Sequence, residues 1–237
     1  MNKLLLPLLS VLIISPLAAH AAEEHSAWKN NIELSAVQTS GNTKTLAVNT
    51  QGKSVHEGDT LRETLKGSAN GSTDNNQTTA ESYKASLQLD WKVSELDYVF
   101  SRIGFESDRF AGFKRRLSET AGYGRNLIKT DDLLWTLEVG GGMRQIRYTD
   151  LSKKNEAIVR SATDVNWKIN DTATLTQDLS TEGGKSGWAS ESVTGLQHAL
   201  NSHLASKMYV KVKHNTKVAT GIKNTDIETG ISLVVNF

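Results

Sequence analysis

From Trp28 to Phe237 the chain alternates apolar and polar residues with period two almost throughout, in unusually long segments. Over 82–91, Tyr83, Ala85, Leu87, Leu89 and Trp91 share one face, and Ser82, Lys84, Ser86, Gln88 and Asp90 share the other. Near the end, Met208, Val210 and Val212 oppose Lys207, Tyr209, Lys211 and Lys213. The last segment sets Ile227, Thr229, Ile231, Leu233, Val235 and Phe237 against Glu228, Gly230, Ser232, Val234 and Asn236. The spacing predicts about twelve strands of roughly 10–15 residues, starting near residues 28, 43, 60, 78, 96, 114, 132, 156, 172, 187, 203 and 224. Strands of soluble sheets run about 5–6 residues, whereas a strand crossing a bilayer at about 45° needs about 9–11.

Composition points the same way. Pro7 and Pro16 are the only prolines, so none falls in the alternating region, where ordinary usage would put about ten. Proline removes a ladder hydrogen bond and is kept out of sheet interiors, so its absence fits a chain that is nearly all strand. The absence of cysteine excludes a disulfide framework and thiolate metal sites. The start of the chain, MNKLLLPLLSVLIISPLAAHAAEE, has one cation at Lys3, an apolar stretch to about Ala19 and the small-x-small exit Ala19-His20-Ala21. This is the layout of a cleaved secretory signal peptide over 1–21. An uncleaved membrane anchor is the alternative, and the two prolines and the small-residue exit argue against it. Cleavage removes Lys3 and leaves acidic and basic groups balanced at 26 each, which gives no support to nucleic-acid binding. Residues 22–237 read as one domain without a linker.

The connections alternate as well. Short polar turns fall at 56–59, 93–95, 129–132, 170–171 and 201–202, and mostly longer polar stretches at 71–79, 108–116, 148–156, 181–187 and 219–225. The first of the longer series, around Ser40-Gly41-Asn42, is short and breaks the trend. Outer-membrane barrels have short periplasmic turns, longer outer loops and an even strand number. Alternation alone does not separate a membrane barrel from a soluble sandwich, because either can bury one face. Strand length and aromatic placement favour the membrane. Trp28 begins the first segment, while Trp91, Trp167 and Phe237 end even-numbered ones, which puts all four at the periplasmic rim. The final strand, with Ile231, Leu233 and Val235 leading to a terminal Phe237, resembles the assembly signal of bacterial outer-membrane barrels.

Several blocks resemble a family of Gram-negative envelope proteins of unknown function, described as salt-induced outer-membrane proteins. They are Ser40-Gly41-Asn42-Thr43-Lys44, then 97–125, 191–216 and 225–237. The middle block is the most specific, with Asp108-Arg109-Phe110, Gly112-Phe113 and Arg116. The resemblance implies a membrane barrel and a role under salt or acid stress, with no established activity.

Little chemistry is visible. Neither a Gly-x-Ser-x-Gly elbow nor a His-Glu-x-x-His pair occurs. His56 and His203 sit at predicted turns, and His198 and His203 straddle one rather than sharing a helical face, so no metal pair is expected. The 108–116 stretch is either a ligand-binding loop or a clasp in which an Asp–Arg pair pins an outer loop to the rim; the clasp is favoured. Gly140-Gly141-Gly142 lies inside a strand with no helix following, so it marks a kink or close approach rather than a phosphate cradle. The predicted lumen carries Glu33, Asp90, Glu138, Asp164, Asp178, Glu182 and Glu228 against Arg62, Lys66, Lys84, Arg144, Arg160, Lys168, Lys207, Lys211 and Lys213. Lys207, Lys211 and Lys213, with Glu228 nearby, would give at most a mild anion preference. Two places fit poorly: Glu63 shares a face with Leu61 and Leu65, and 188–201 is polar on both faces, which would reduce twelve strands to ten.

The expectation is an all-β, antiparallel transmembrane barrel of about twelve strands (ten possible) in the cell outer membrane, non-enzymatic, without cofactor or metal, and acting as a small pore or stress-related envelope component. Its expected partners are outer-membrane lipid and lipopolysaccharide, with the barrel assembly machinery and periplasmic chaperones during biogenesis. No nucleic acid is expected, and a monomer is favoured. A barrel enzyme acting on lipid or peptide, and a soluble periplasmic β-barrel binding a small ligand, remain open.

Overall fold

The computed structural model describes residues 28–38, 45–75, 77–218 and 223–237. The expected signal peptide over 1–21 and the Ser40–Lys44 block lie outside the described residues. Twelve strands follow one another: β1 (Lys29–Gln38), β2 (Thr45–Glu57), β3 (Leu61–Asp74), β4 (Gln77–Lys92), β5 (Asp97–Asp108), β6 (Phe113–Lys129), β7 (Leu133–Tyr148), β8 (Lys153–Lys168), β9 (Ala173–Gly184), β10 (Gly187–Ala199), β11 (Leu204–Asn215) and β12 (Thr225–Asn236). Each pairs antiparallel with its sequence neighbours, and β1 pairs with β12 to close the barrel. The seam is secured at the chain end, where Asn30 and Phe237 exchange backbone bonds of 3.0 Å each. Beyond them only Asn31–Leu34 is in register with Leu233–Asn236, whereas β1 pairs with β2 along its full length. Strands β4, β6, β7 and β8 have 16 or 17 residues, longer than the periodicity predicts. The largest shift is in β8, which begins at Lys153 rather than near 156, at the end away from Trp28 and Phe237.

The alternation sorts residues inside out. Leu65, Ile103, Val139, Met208 and Ile231 are exposed on the outer surface, while Asp90, Glu138, Arg144, Glu156 and Lys207 are buried within. This inverts the usual placement of apolar and charged side chains in a water-soluble domain. Trp28, Trp91, Trp167 and Phe237 are all exposed and stand at the same end. Trp135 joins them, donating to Thr163 Oγ1 at 2.9 Å.

Both poor fits have local explanations. Glu63 lies directly opposite His56 and reaches its Nδ1 at 3.1 Å, and the imidazole stacks on Trp28 with ring centroids 4.9 Å apart. The carboxylate is therefore paired at the rim of the apolar surface, where outward charge costs least. In β10 the outward Ser190, Ser192 and Thr194 bond sideways: Ser190 with Thr181 (2.9 Å), and Ser192 and Thr194 with Gln177 (2.9 and 2.5 Å). Hydroxyls satisfied by neighbouring strands lose most of the desolvation penalty of facing outward. Strand number twelve stands, with β10 in place.

Candidate functional site

The lumen is the site, and its wall is prepared by glycines. Gly122 and Gly140 face each other on β6 and β7, and a Cβ on either would come within 2.9 Å of the Phe100 ring. Bare backbone there lets Phe100 lie flat and fully buried against the wall. Arg160 sits over that ring, 5.7 Å from its centroid, and pairs with Glu138 at 2.7 Å. Glu138 also accepts from Gln88 Nε2 (2.7 Å) and the Tyr98 hydroxyl (3.0 Å). Gln88 donates onward to Asp90 (2.9 Å), which takes Arg62 Nε at 2.7 Å, and Arg62 lies 4.8 Å above the Tyr98 ring. Arg62, Asp90, Gln88, Glu138 and Arg160 thus form one continuous network. Beside it Arg144 donates twice to Glu156 (3.0 and 2.5 Å) and once to Gly187 O (3.2 Å), with Glu182 at 3.6 Å. Buried charges persist only when paired and hydrogen-bonded this fully.

The rest of the lumen is wetter. Lys66 on β3 crosses to Asp178 (3.6 Å) and Asp164 (3.9 Å), which stand opposite each other on β9 and β8. These inward side chains keep 46%, 47% and 42% exposure. Nearer the far end, Lys84 on β4 crosses to Glu191 on β10 at 2.5 Å; Glu106, 3.9 Å from Lys84, is also paired with Arg116 at 3.2 Å. Two ion-pair bridges therefore span the passage at two heights. A cavity of about 20 Å³, room for about one water, is lined by Glu33, Asn49, Tyr209, Lys211 and Glu228.

The three lysines of β11 differ. Lys207 is buried and held by Glu33 at 2.8 Å, so it offers no free charge. Lys211 stands opposite Glu228, and Lys213 opposite Glu191, without ion pairs among the described residues. Glu228 instead accepts from Tyr209 (2.6 Å) and Asn49 (2.8 Å). Tyr209 lies across Gly230 and reaches Ser35 at 3.3 Å, a side-chain tie across the seam just past the last registered backbone pair. Lys53 and Arg102 are inward cations without ion pairs that alternation alone did not single out. Lys168, placed in the lumen from sequence, sits at the rim and pairs with Asp171 of the adjoining turn at 3.1 Å. Glu191 falls in the stretch with polar faces on both sides, where the sequence offers no inward direction.

In the 108–116 loop, Asp108 and Arg109 do not pair. Asp108 Oδ1 accepts from the Phe110 and Ala111 amides (3.0 and 3.1 Å), while Arg109 reaches Glu81 of β4 at 3.1 Å and Glu81 O through its own amide. Gly112 has φ +79°, a left-handed conformation suited to glycine. Phe113 is buried with the Arg116 guanidinium 4.3 Å above its ring. The loop is tied to the rim through a neighbouring strand rather than through its own acid. Outward on β12, Ile231, Leu233 and Phe237 are exposed, and Val235 stands beside Ile32.

A Ser–His contact occurs at the β10–β11 turn, where Ser202 Oγ lies 2.9 Å from His203 Nδ1. Among the described residues no third side chain bonds the His203 ring, and Asn201 Oδ1 is occupied by the His203 and Leu204 amides. The same turn chemistry recurs at Asn170, which accepts from the Thr172 and Ala173 amides.

A closed antiparallel barrel with a charged lumen and an apolar exterior has the architecture of outer-membrane channels. The chain superposes on the NanC porin with a TM-score of 0.55 at 13% identity, covering 88% of this chain and 98% of that one. It superposes on an outer-membrane channel from Pseudomonas putida F1 with a TM-score of 0.53 at 9% identity, covering 93% and 98%. In sequence it is 26% identical over 213 residues to the uncharacterized protein YdiY of Escherichia coli (strain K12), spanning 90% of this chain and 84% of the relative. The chain belongs to the family described as protein of unknown function, DUF481, whose model matches residues 32–237.

Proposed function

We propose that the chain is an integral outer-membrane barrel forming a narrow, low-conductance pore. The observation that carries this is the partial exposure of Lys66, Asp164 and Asp178, which face inward and span the lumen yet stay accessible to water. A lumen filled as a dry polar core would bury them as fully as Arg144 and Glu156. The two cross-lumen bridges are the constrictions, and Lys53, Arg102, Lys211 and Lys213 supply a modest excess of unpaired cationic charge. The outward Ile231, Leu233, Val235 and Phe237 of the last strand form the segment read by the barrel assembly machinery.

The test is single-channel conductance of the refolded mature chain in a planar bilayer, after a gel-mobility shift on boiling has shown that the barrel formed. Small, reproducible steps are expected. Glu191→Ala and Lys84→Ala each remove a strut from the upper constriction and should give several-fold larger steps. Lys211→Gln with Lys213→Gln should weaken the anion preference in the reversal potential while leaving step size nearly unchanged. A folded barrel without steps, in wild type and in both strut variants, would refute the pore.

A further inference from the structure

We propose that Arg115, Arg147 and Lys153 form a binding site for the phosphate groups of an outer-leaflet glycolipid. The site rests on the membrane reading above and adds a ligand to the outer surface. Arg115 of β6 stands directly opposite Arg147 of β7, which stands directly opposite Lys153 of β8, so three adjacent strands place three cations in one row. All three point outward, because Arg116, beside Arg115, pairs with the inward Glu106, and Ile146, beside Arg147, is buried. Neighbouring strands lie about 4.8 Å apart, so the row fits within about 10 Å.

Like charges directly opposite one another on a sheet repel, and among the described residues no acid stands opposite any of the three. None of the three has an ion-pair partner among the described residues. Arg147 Nε is shielded and makes no hydrogen bond. The nearest acids are engaged or remote. Asp150 Oδ1 accepts from the Ser152 amide and hydroxyl (2.9 and 2.6 Å), and Asp108 is held by its own loop amides. Glu119 faces outward four positions along β6, about 13 Å away.

The row stands at the height of a headgroup. On β7, Arg147 is twelve positions beyond Trp135 of the aromatic rim. At about 3.4 Å per residue and a tilt of about 40°, that is about 31 Å, just above an apolar band about 25 Å tall. Beneath the row come Gln145 and Asn155, then Met143 with Ala157 and the outward Glu119 on its other side, and Gly141 with Val159. Cations, amide donors and an apolar wall, in that order, suit phosphate, sugar and acyl chain. Arginine is the side chain best shaped to fork onto phosphate oxygens.

The experiment titrates diphosphoryl lipid A into the refolded full mature chain in detergent and counts bound lipid by native mass spectrometry. Flotation with phosphatidylcholine vesicles is measured in parallel. Each basic side chain near an anionic surface contributes roughly fivefold in affinity, so Arg115→Gln with Arg147→Gln and Lys153→Gln should weaken binding about a hundredfold. Lys153→Glu alone, at the first residue of its strand, should weaken it at least as much as a neutral change there, and Lys185→Gln in the β9–β10 loop should leave it unchanged. Fully dephosphorylated lipid A should bind wild type and triple variant alike. Inorganic phosphate at equal concentration should not compete, which would mark the lipid as the ligand. Wild-type affinity in the triple variant and in Lys153→Glu, with both folded and floating, would overturn the site alone. Failure of wild type to float would overturn the membrane reading instead.

Discussion

Replacing Glu138 with alanine is expected to cost about 3–5 kcal/mol of folding stability, because it strands a buried guanidinium. Glu138 receives three donors, from Arg160, Gln88 and Tyr98, and the Arg160 and Glu138 side chains are only 10% and 6% exposed. Without the carboxylate, Arg160 keeps its place over Phe100 but loses the anion that compensates its removal from water. Glu138→Gln preserves an acceptor for the hydroxyl and amide, so its loss should be clearly smaller. Glu138→Leu combined with Arg160→Met removes both charges and should recover much of the stability lost by either alone. Urea unfolding of the refolded barrel in vesicles gives the value for each of these five variants. A cost below about 1 kcal/mol for Glu138→Ala would mean that lumen water screens the network as it screens an exposed pair.

Alternation made the strands legible because a barrel wall is exposed to two different environments along its whole length. The predicted starts at 28, 60 and 203 fall within one residue of Lys29, Leu61 and Leu204. Legibility failed where one environment stopped demanding a residue type. In β10 the outer face carries Ser190, Ser192 and Thr194, whose hydroxyls are satisfied sideways, so the stretch lacks contrast and the pattern gives Glu191 no inward direction. Partners across the lumen were illegible for a different reason. Lys84 and Glu191 are 107 residues apart, and only closure of the barrel brings them together. The expected Asp108–Arg109 pair failed similarly: register sets Ser82 opposite Asp108, which carries Arg109 to Glu81, while the Asp108 carboxylate caps its own turn. The three lysines of β11 share a face as the pattern requires, yet Glu33, contributed by the first strand, neutralises Lys207 alone.

Gly142→Ala should prevent the barrel from forming or lower its stability beyond any other single methyl addition in β7, whereas Gly141→Ala should fall within about 0.5 kcal/mol of wild type. The two glycines are adjacent in sequence and opposite in direction. A Cβ at Gly142 would stand 1.9 Å from the Glu119 carbonyl oxygen, and because that obstacle is backbone, β6 and β7 would have to separate to admit it. At Gly141 the nearest atom is the Ile158 carbonyl oxygen at 3.4 Å, an ordinary contact on the outer surface. Overpacking costs about 1–3 kcal/mol where side chains can yield, and more where a ladder must open. The consequence reaches the lumen. The same close approach of β6 and β7 puts Gly122 opposite Gly140 and makes the flat bed for Phe100, on which Arg160 rests while holding Glu138. Gly142→Ala should therefore loosen the charge network as well as the wall, so any fraction that folds should conduct with larger or noisier steps than wild type. Heat modifiability on gels measures the folded fraction, and bilayer recording of that fraction measures the second effect. Equal behaviour of the two alanine variants would show that β6 and β7 part easily, and that the glycine triplet does not set the shape of the lumen.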